Sequence, residues 1–428
     1  MAVMSRPPQS ATNFGVALLA LAAGLGAIWL ISPERWGGLA GTVPYIGVIP
    51  CIAVVLVIAA AEWAFPRLRV ANTASNGGAE ARSLNVRRVG IRLIGLIGTL
   101  GLVALAYWLF PEYHGDFYNP FWSFLRTISP IAIAVPFYFL WSDVYGSTMH
   151  DEYLAFGTLL STWRADAWRR ADWPLIRRHL LGWTIKGFFV PLMTVYFATE
   201  LQTVHGLLAA NTAGAMPRYQ LLYHLSYAID LLFCVVGYSA ALRLFDSQIR
   251  SVQPTVAGWV IALMCYQPFY SVIGSAYLKY DDEIFWDNWL AGYPTVRAMW
   301  AAAIIALLFI YALSTVSFGL RFSNLTDRGI ITSGPYRFSK HPAYVSKNLS
   351  WWLISIPFVS NNGWMEAVRN CGILLLLNSI YYTRARTEER HLNSDPRYVA
   401  YALWMNERGL LRFLARLLPF MRYRPPAT

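Results

Sequence analysis

Apolar residues gather in long runs along this chain, and short polar stretches separate them. A helix that crosses a bilayer needs about 20 mainly apolar residues. The runs 14–32, 43–65, 90–110, 127–146, 181–201, 220–243, 256–278, 297–319, 345–360 and 364–383 meet or approach that length. They predict an all-α, polytopic membrane helix bundle of about ten transmembrane helices. The polar stretch after the last run and the amphipathic end up to Phe420 predict cytosolic C-terminal amphipathic helices. No internal repeat is evident.

The polar stretches alternate in charge. Stretch 66–89 holds Arg67, Arg69, Arg82, Arg87 and Arg88 against Glu80. Stretch 147–180 holds Arg164, Arg169, Arg170, Arg177 and Arg178, and its segment Tyr153 to Trp173 reads as an amphipathic interfacial helix. Stretch 321–344 holds Arg321, Arg328, Arg337 and Lys340. Between these, 111–126 carries Glu112 and Asp116, and 279–296 carries Asp281, Asp282, Glu283 and Asp287 against Lys279. Cytoplasmic loops are enriched in Lys and Arg. The arginine stretches and both termini are therefore expected on the cytosolic side. The run from Phe14 to Ile31 is long enough to span and reads as a retained first helix.

Composition agrees with this class. Hydrophobic residues make up 56% and charged residues 14%, against roughly 25% charged in a soluble domain. The net charge of +12 sits in short loops, so it reports topology and does not call for nucleic acid. Cys51, Cys234, Cys265 and Cys371 lie in apolar runs without metal-ligand spacing, so no disulfide and no metal site is expected. Arginine outnumbers lysine 31 to 4, the bias of an Ala/Arg-rich bacterium, which suggests an inner membrane. Walker, GxGxxG, HExxH and nucleophile-elbow motifs do not occur, so the common ATPase, dehydrogenase and hydrolase readings fall away.

Candidate chemistry collects near the C-terminus. Gly334-Pro335-Tyr336-Arg337 and Ser339-Lys340-His341-Pro342-Ala343-Tyr344 precede one apolar run. The turn Ser360-Asn361-Asn362-Gly363 joins it to a second, which ends in Arg384-Ala385-Arg386-Thr387-Glu388-Glu389, with Tyr398 and Tyr401 beyond. A short connection makes two helices antiparallel neighbours. His341 and Tyr344 should therefore meet Arg384 and Glu388 on one membrane face. The 16 residues of 345–360 give about 24 Å of helix against about 30 Å of hydrocarbon, so the motif is expected to dip below the headgroups. The combination suits S-adenosylmethionine. A carboxylate would accept from the ribose diol, aromatic faces would meet the sulfonium, and Arg, Lys or His would meet the ligand carboxylate.

This order of motifs resembles the isoprenylcysteine carboxyl methyltransferase family, and the related phospholipid N-methyltransferases share much of it. The family usually reads Arg-His-Pro-x-Tyr followed by a small residue. Here Lys340 stands in the Arg position and Val345-Ser346 follow, and Lys keeps the charge without the bidentate fork. The resemblance covers about a quarter of the chain. It implies S-adenosylmethionine-dependent methyl transfer. Gly334, Pro335, Tyr336, Lys340, His341, Pro342, Tyr344, Glu388, Glu389 and Tyr398 would bind the cofactor, and Arg384, Arg386 and Glu388 would be catalytic. The acceptor would be a membrane lipid or a prenyl- or polyprenyl-linked substrate, bearing a carboxylate, amine or hydroxyl. Residues 1–296 would form an N-terminal bundle that holds the acceptor or acts as an accessory domain, and 297–428 the methyltransferase-like domain.

Two other classes stay open. One is an NADPH-dependent reductase of sterol-reductase type, whose pattern has His followed by Asn-Tyr. The other is a transporter or scaffold with a degenerate cofactor site. Tyr398 and Tyr401 read equally as interfacial anchors. Asp230, inside the sixth run, is expected to bind substrate or join a polar network, with Arg243 out of reach. Glu200 and His205 are expected to be solvated. Residues 280–287 read first as an ordinary outer loop and second as a headgroup cradle.

Overall fold

The computed structural model describes residues 6–31, 45–65, 83–145, 151–162, 165–210, 214–275, 277–413 and 422–425. Arg67, Arg69, Arg82 and Arg164, and the amphipathic end from 414 to Phe420, lie outside them.

The described residues are all-α apart from one two-residue antiparallel pairing, Ser251–Val252 with Thr326–Asp327. The helices are α1 (Phe14–Leu30), α2 (Val48–Ala64), α3 (Val86–Leu109), α4 (Asn119–Ile128), α5 (Val135–Tyr145), α6 (Glu152–Thr162), α7 (Ala165–Arg170), α8 (Trp173–Ala210), α9 (Ala215–Ser239), α10 (Val256–Leu263), α11 (Trp286–Trp289), α12 (Pro294–Val316), α13 (Pro342–Ser355), α14 (Trp364–Leu392) and α15 (Pro396–Arg408). Side-chain caps fix several starts. Asn13 accepts from Val16 N, Asn85 from Arg88 N and Thr255 from Gly258 N.

Five apolar stretches among the described residues are long enough to cross a membrane: 86–109, 116–145, 173–210, 215–239 and 294–316. The apolar helices α1 and α2 are 17 residues each. The predicted seventh span, 256–278, is not one helix. It is helical for eight residues, turns at Cys265-Tyr266-Gln267-Pro268, and resumes as a short wide turn at Ser271–Ser275. Pro268 has no N–H for the helical ladder, and the Gln267 side chain instead accepts from Ser271 N. Pro130 and Pro136 similarly break 116–145 into α4, a 3₁₀ stretch at Ser129–Ala134, and α5.

The core lies where α8, α9, α1, α2 and α12 meet, around Phe189, Phe197, Leu232, Phe233 and Val316. Two buried arginines, Arg92 in the third predicted run and Arg328 in the stretch 321–344, are scaffolding. Arg92 pairs with Asp143 at 2.8 Å and Asp151 at 2.9 Å, tying α3 to the ends of α5 and α6. Arg328 donates to the carbonyls of Gly237, Leu320, Phe322 and Ser247 at 2.6–2.8 Å. It therefore sews the end of α9 to the segment that follows α12.

The N-terminal segment before α1 docks on that same region. Ala11 N donates to Ile330 O, Thr332 Oγ1 to Pro8 O, and Thr12 Oγ1 to Ser317 O. At the other end, Tyr423 bonds to Asn393 and Asn406. Both ends therefore lie on the same face of the bundle as 321–344. Two expectations are corrected. His205 is buried, with its ring nitrogen 2.9 Å from Ile28 O, and Glu200 meets His224 at 2.8 Å, so neither is simply solvated. The bond to a helix carbonyl gives that histidine an internal partner, which removes the need for water.

Candidate active site

Helices α13 and α14 form the expected antiparallel hairpin. Gly363, at φ 94°, supplies a left-handed position in the turn. The arms are zipped by amides: Trp352 Nε1 donates to Asn378 Oδ1 at 2.8 Å, and Asn378 Nδ2 to Asn348 Oδ1 at 2.6 Å. Helix α13 has 14 residues, about 21 Å, so it is the short arm. Helix α14 has 29 and carries its last turns past the start of α13.

That overhang assembles the site. Tyr344 donates to Glu388 at 3.0 Å, and its ring stacks on His341 with centroids 5.6 Å apart. Arg384 is buried and lies between the rings of Tyr344 and Tyr266, each 5.3 Å from its guanidinium carbon. It donates to Asn324 Oδ1 at 2.6 Å and Tyr266 OH at 3.3 Å, and among the described residues no carboxylate is in ion-pair range. Asn324 in turn donates to Tyr238 at 2.7 Å and Tyr266 at 2.9 Å. Leu325, beside it, holds φ 61°, with its carbonyl bound by Gln253 N. Left-handed backbone at a leucine is strained, and such positions concentrate at functional sites.

These side chains line one cavity, and Tyr336, Lys340, His341, Tyr344, Arg384, Glu388 and Tyr398 of the predicted set all face it. Gly334, Pro335, Pro342, Arg386 and Glu389 do not. Gly334 holds φ 61° where a Cβ would lie 2.5 Å from Ser317 Oγ, so it is a turn without room for a side chain. Pro342 is buried at the first position of α13. Glu389 is buried and accepts from Lys340 at 2.6 Å, lies 3.2 Å from His341 Nε2, and pairs with Arg386. Burial alone would raise its carboxyl. The hydrogen bonds and charges of His341 and Lys340 outweigh that and hold its pKa at about 2. Glu389 is the anchor that orients Lys340 and His341. Arg386 is taken up by it.

The enclosed part of the cavity is about 130 Å³, smaller than the roughly 300–1,000 Å³ of typical small-molecule sites. A ligand must therefore extend past its rim, where the Glu388 side chain is 40% exposed. Two buried hydroxyls that line the cavity, Tyr398 OH and Thr326 Oγ1, have no hydrogen-bond partner among the described residues. Burial first, then Glu389 and Glu388, push the Tyr398 phenol well above its ordinary range, so it stays a donor. Buried unpaired polar atoms are rare and call for an explanation.

Residues 296–394 match the isoprenylcysteine carboxyl methyltransferase family. The match falls on the end of the chain where the motifs lie and covers about a quarter of it, while residues 1–295 fall outside the match. No curated protein and no solved structure matches the chain significantly.

The matched segment does not build the cavity alone. Tyr266 comes from the broken seventh run, and the signal for it was Pro268 inside an apolar stretch. Asn324, Tyr311, Thr315 and Lys347 also line the cavity without having been predicted to. Lys347 lies over the rings of Tyr311, Trp351 and Tyr381 at 5.2, 5.4 and 5.8 Å. Tyr311 also donates to Asp230 at 2.8 Å, and Thr315 is the second donor to that carboxylate. Asp230 is thus part of a buried polar network that joins α9 to α12. Arg243, as expected, is elsewhere, on Glu152. Tyr401 donates to Tyr336 O at 2.6 Å and is structural. The acids of 280–287 are engaged locally: Asp282 accepts from Ser360 and Asn370, Asp287 pairs with Arg297, and Glu283 with Lys279.

Proposed function

We propose that this protein transfers a methyl group from S-adenosylmethionine to an acceptor carried in the membrane. The observation that carries the reading is the cavity of His341, Tyr344, Arg384 and Glu388, with the unpaired hydroxyls of Tyr398 and Thr326 facing into it. The cofactor would supply an electrophilic methyl on a sulfonium, whose bonding pair stays on sulfur as the acceptor's lone pair forms the new bond.

The residues fit such a ligand. Glu388 offers a carboxylate to a ribose diol or an amine. The stacked His341 and Tyr344 rings offer a face to a cation. Tyr398 and Thr326 offer buried donors to oxygen atoms. Arg384 would hold an anionic acceptor, because among the described residues no carboxylate pairs with it and it lies against the cavity wall. A carboxylate acceptor needs no base, so positioning would supply much of the rate. An amine or hydroxyl would give up its proton to Glu388, whose side chain is within 3.9 Å of His341.

The acceptor fits a membrane-borne molecule, since the site abuts the apolar hairpin. A cytosolic face for the site and both termini, in a bacterial inner membrane, fits the arginine-rich stretches. Residues 1–296 would serve the methyltransferase domain at 297–428, to which they already contribute Tyr266. The test is methyl transfer from labelled S-adenosylmethionine into the lipid fraction of membranes containing the protein. We expect incorporation that Arg384→Ala abolishes. A wild-type protein that transfers no label into lipid but reduces a lipid with NADPH would establish the reductase reading instead.

A further inference from the structure

A second and larger cavity lies in the N-terminal helices, distinct from the candidate active site. It has a volume of about 730 Å³, within the range of small-molecule sites, and is open along a side where Leu100 and Trp108 are exposed. Its wall is almost wholly apolar and runs along α3 from Leu96 to Trp108, about 18 Å of helix. Val103, Trp122, Phe124 and Val190 contribute from α3, α4 and α8. The strongest charge on it is Lys186.

Lys186 sits at one end of this cavity, and a polar vestibule adjoins it there. Six residues, Tyr138, Phe139, Tyr153, Trp183, Lys186 and Leu242, line both spaces. The vestibule's carboxylates are already engaged. Glu152 accepts from Arg178 at 2.6 Å and Arg243 at 3.1 Å, and Asp151 pairs with Arg92 and Arg243. Lys186 makes no ion pair among the described residues. Its ammonium reaches only Ala241 O, at 3.5 Å, and lies 4.9 Å over the Trp183 ring. Arg178, Arg243 and Lys186 against Asp151 and Glu152 leave the vestibule lining with one uncompensated positive charge. A lone cation in the membrane interior is costly and marks a partner or a pathway.

We infer that the N-terminal bundle holds a binding site for an anionic amphiphile with a single long hydrocarbon tail: the tail lies along α3 and the head meets Lys186. The apolar length, the polar vestibule at one end and the unpaired ammonium at their junction match the two ends of such a molecule. The inference stands on these helices alone and does not require methyl transfer. Tyr238 lines this cavity and also bonds Asn324 beside Arg384, so one side chain separates the two chambers.

The test uses the full chain in neutral detergent, with spin-labelled stearate and its methyl ester as probes. Saturable binding of the acid is expected, at least tenfold tighter than the ester. Lys186→Gln should remove that preference and Lys186→Arg should keep it. Val103→Trp, which fills the tail channel, should abolish binding of both probes while thermal unfolding stays cooperative. Equal affinity for acid and ester, non-saturable partition of both, or an unchanged preference in Lys186→Gln would overturn the inference. Binding of S-adenosylmethionine in the same samples reports separately on the other site.

Discussion

Arg384 donates to Asn324 at 2.6 Å across sixty residues of chain. Among the described residues neither makes an ion pair, and the guanidinium is buried between two tyrosine rings. The amide therefore fixes the direction of Arg384 without cancelling its charge, which leaves that charge for a ligand. Asn324→Asp should silence it by creating a buried ion pair. Asn324→Ala should free it to wander. Both variants are expected to lose at least tenfold in methyl transfer, with Asn324→Asp losing affinity for an anionic acceptor most. An Asn324→Asp protein with wild-type kinetics would show that Arg384 is scaffold only.

Glu389 predicts how the site responds to acid. Its folded pKa of about 2 lies below its ordinary 4.5, so the unfolded chain binds the proton more readily. The stabilisation is full above pH 4.5 and fades as the pH falls towards 2. Its size is on the order of 3 kcal/mol. Glu389→Gln should lower the melting temperature at neutral pH and flatten its dependence between pH 4.5 and 2. Parallel melting curves for the two proteins across that window would contradict the role assigned to Glu389.

Tyr311 holds Asp230 from one side and packs on Lys347 from the other. Tyr311→Phe removes a donor from a buried carboxylate, and leaving such a group short of a partner costs about 1–3 kcal/mol. Thermal unfolding in detergent should show that loss. No change would mean that Thr315 and Lys347 suffice for Asp230.

Gly334 is a motif glycine whose role is steric. Gly334→Ala places a methyl against Ser317 and Phe14 at a left-handed position. Destabilisation of about 1–3 kcal/mol is expected, with cofactor affinity retained in the protein that remains folded. Normal stability with lost affinity would instead put Gly334 in the binding site.

The hairpin and its gathering of His341, Tyr344, Arg384 and Glu388 were legible in the sequence because a short turn leaves two helices only one way to lie. The exact partition of Glu388 and Glu389 was not, because adjacent helical residues point about 100° apart and nothing local says which faces the cavity. Asn324 and Tyr266 were hidden for another reason. Each reaches the site through a break in helical structure, and its partners are distant in sequence. Arg328 read as a loop charge, yet buried carbonyls hold it. Charge alone does not distinguish a loop arginine from one that pins helices together.

The central claim is that the cavity under α13 and α14 takes S-adenosylmethionine. Titration calorimetry on the purified full-length protein tests it most directly, with S-adenosylmethionine, S-adenosylhomocysteine and NADPH as ligands and Glu388→Gln and Tyr398→Phe as controls. The account predicts saturable binding of both sulfur nucleosides, weakened at least tenfold in each variant, and no binding of NADPH. Binding of NADPH alone, or of none of the three, would contradict it.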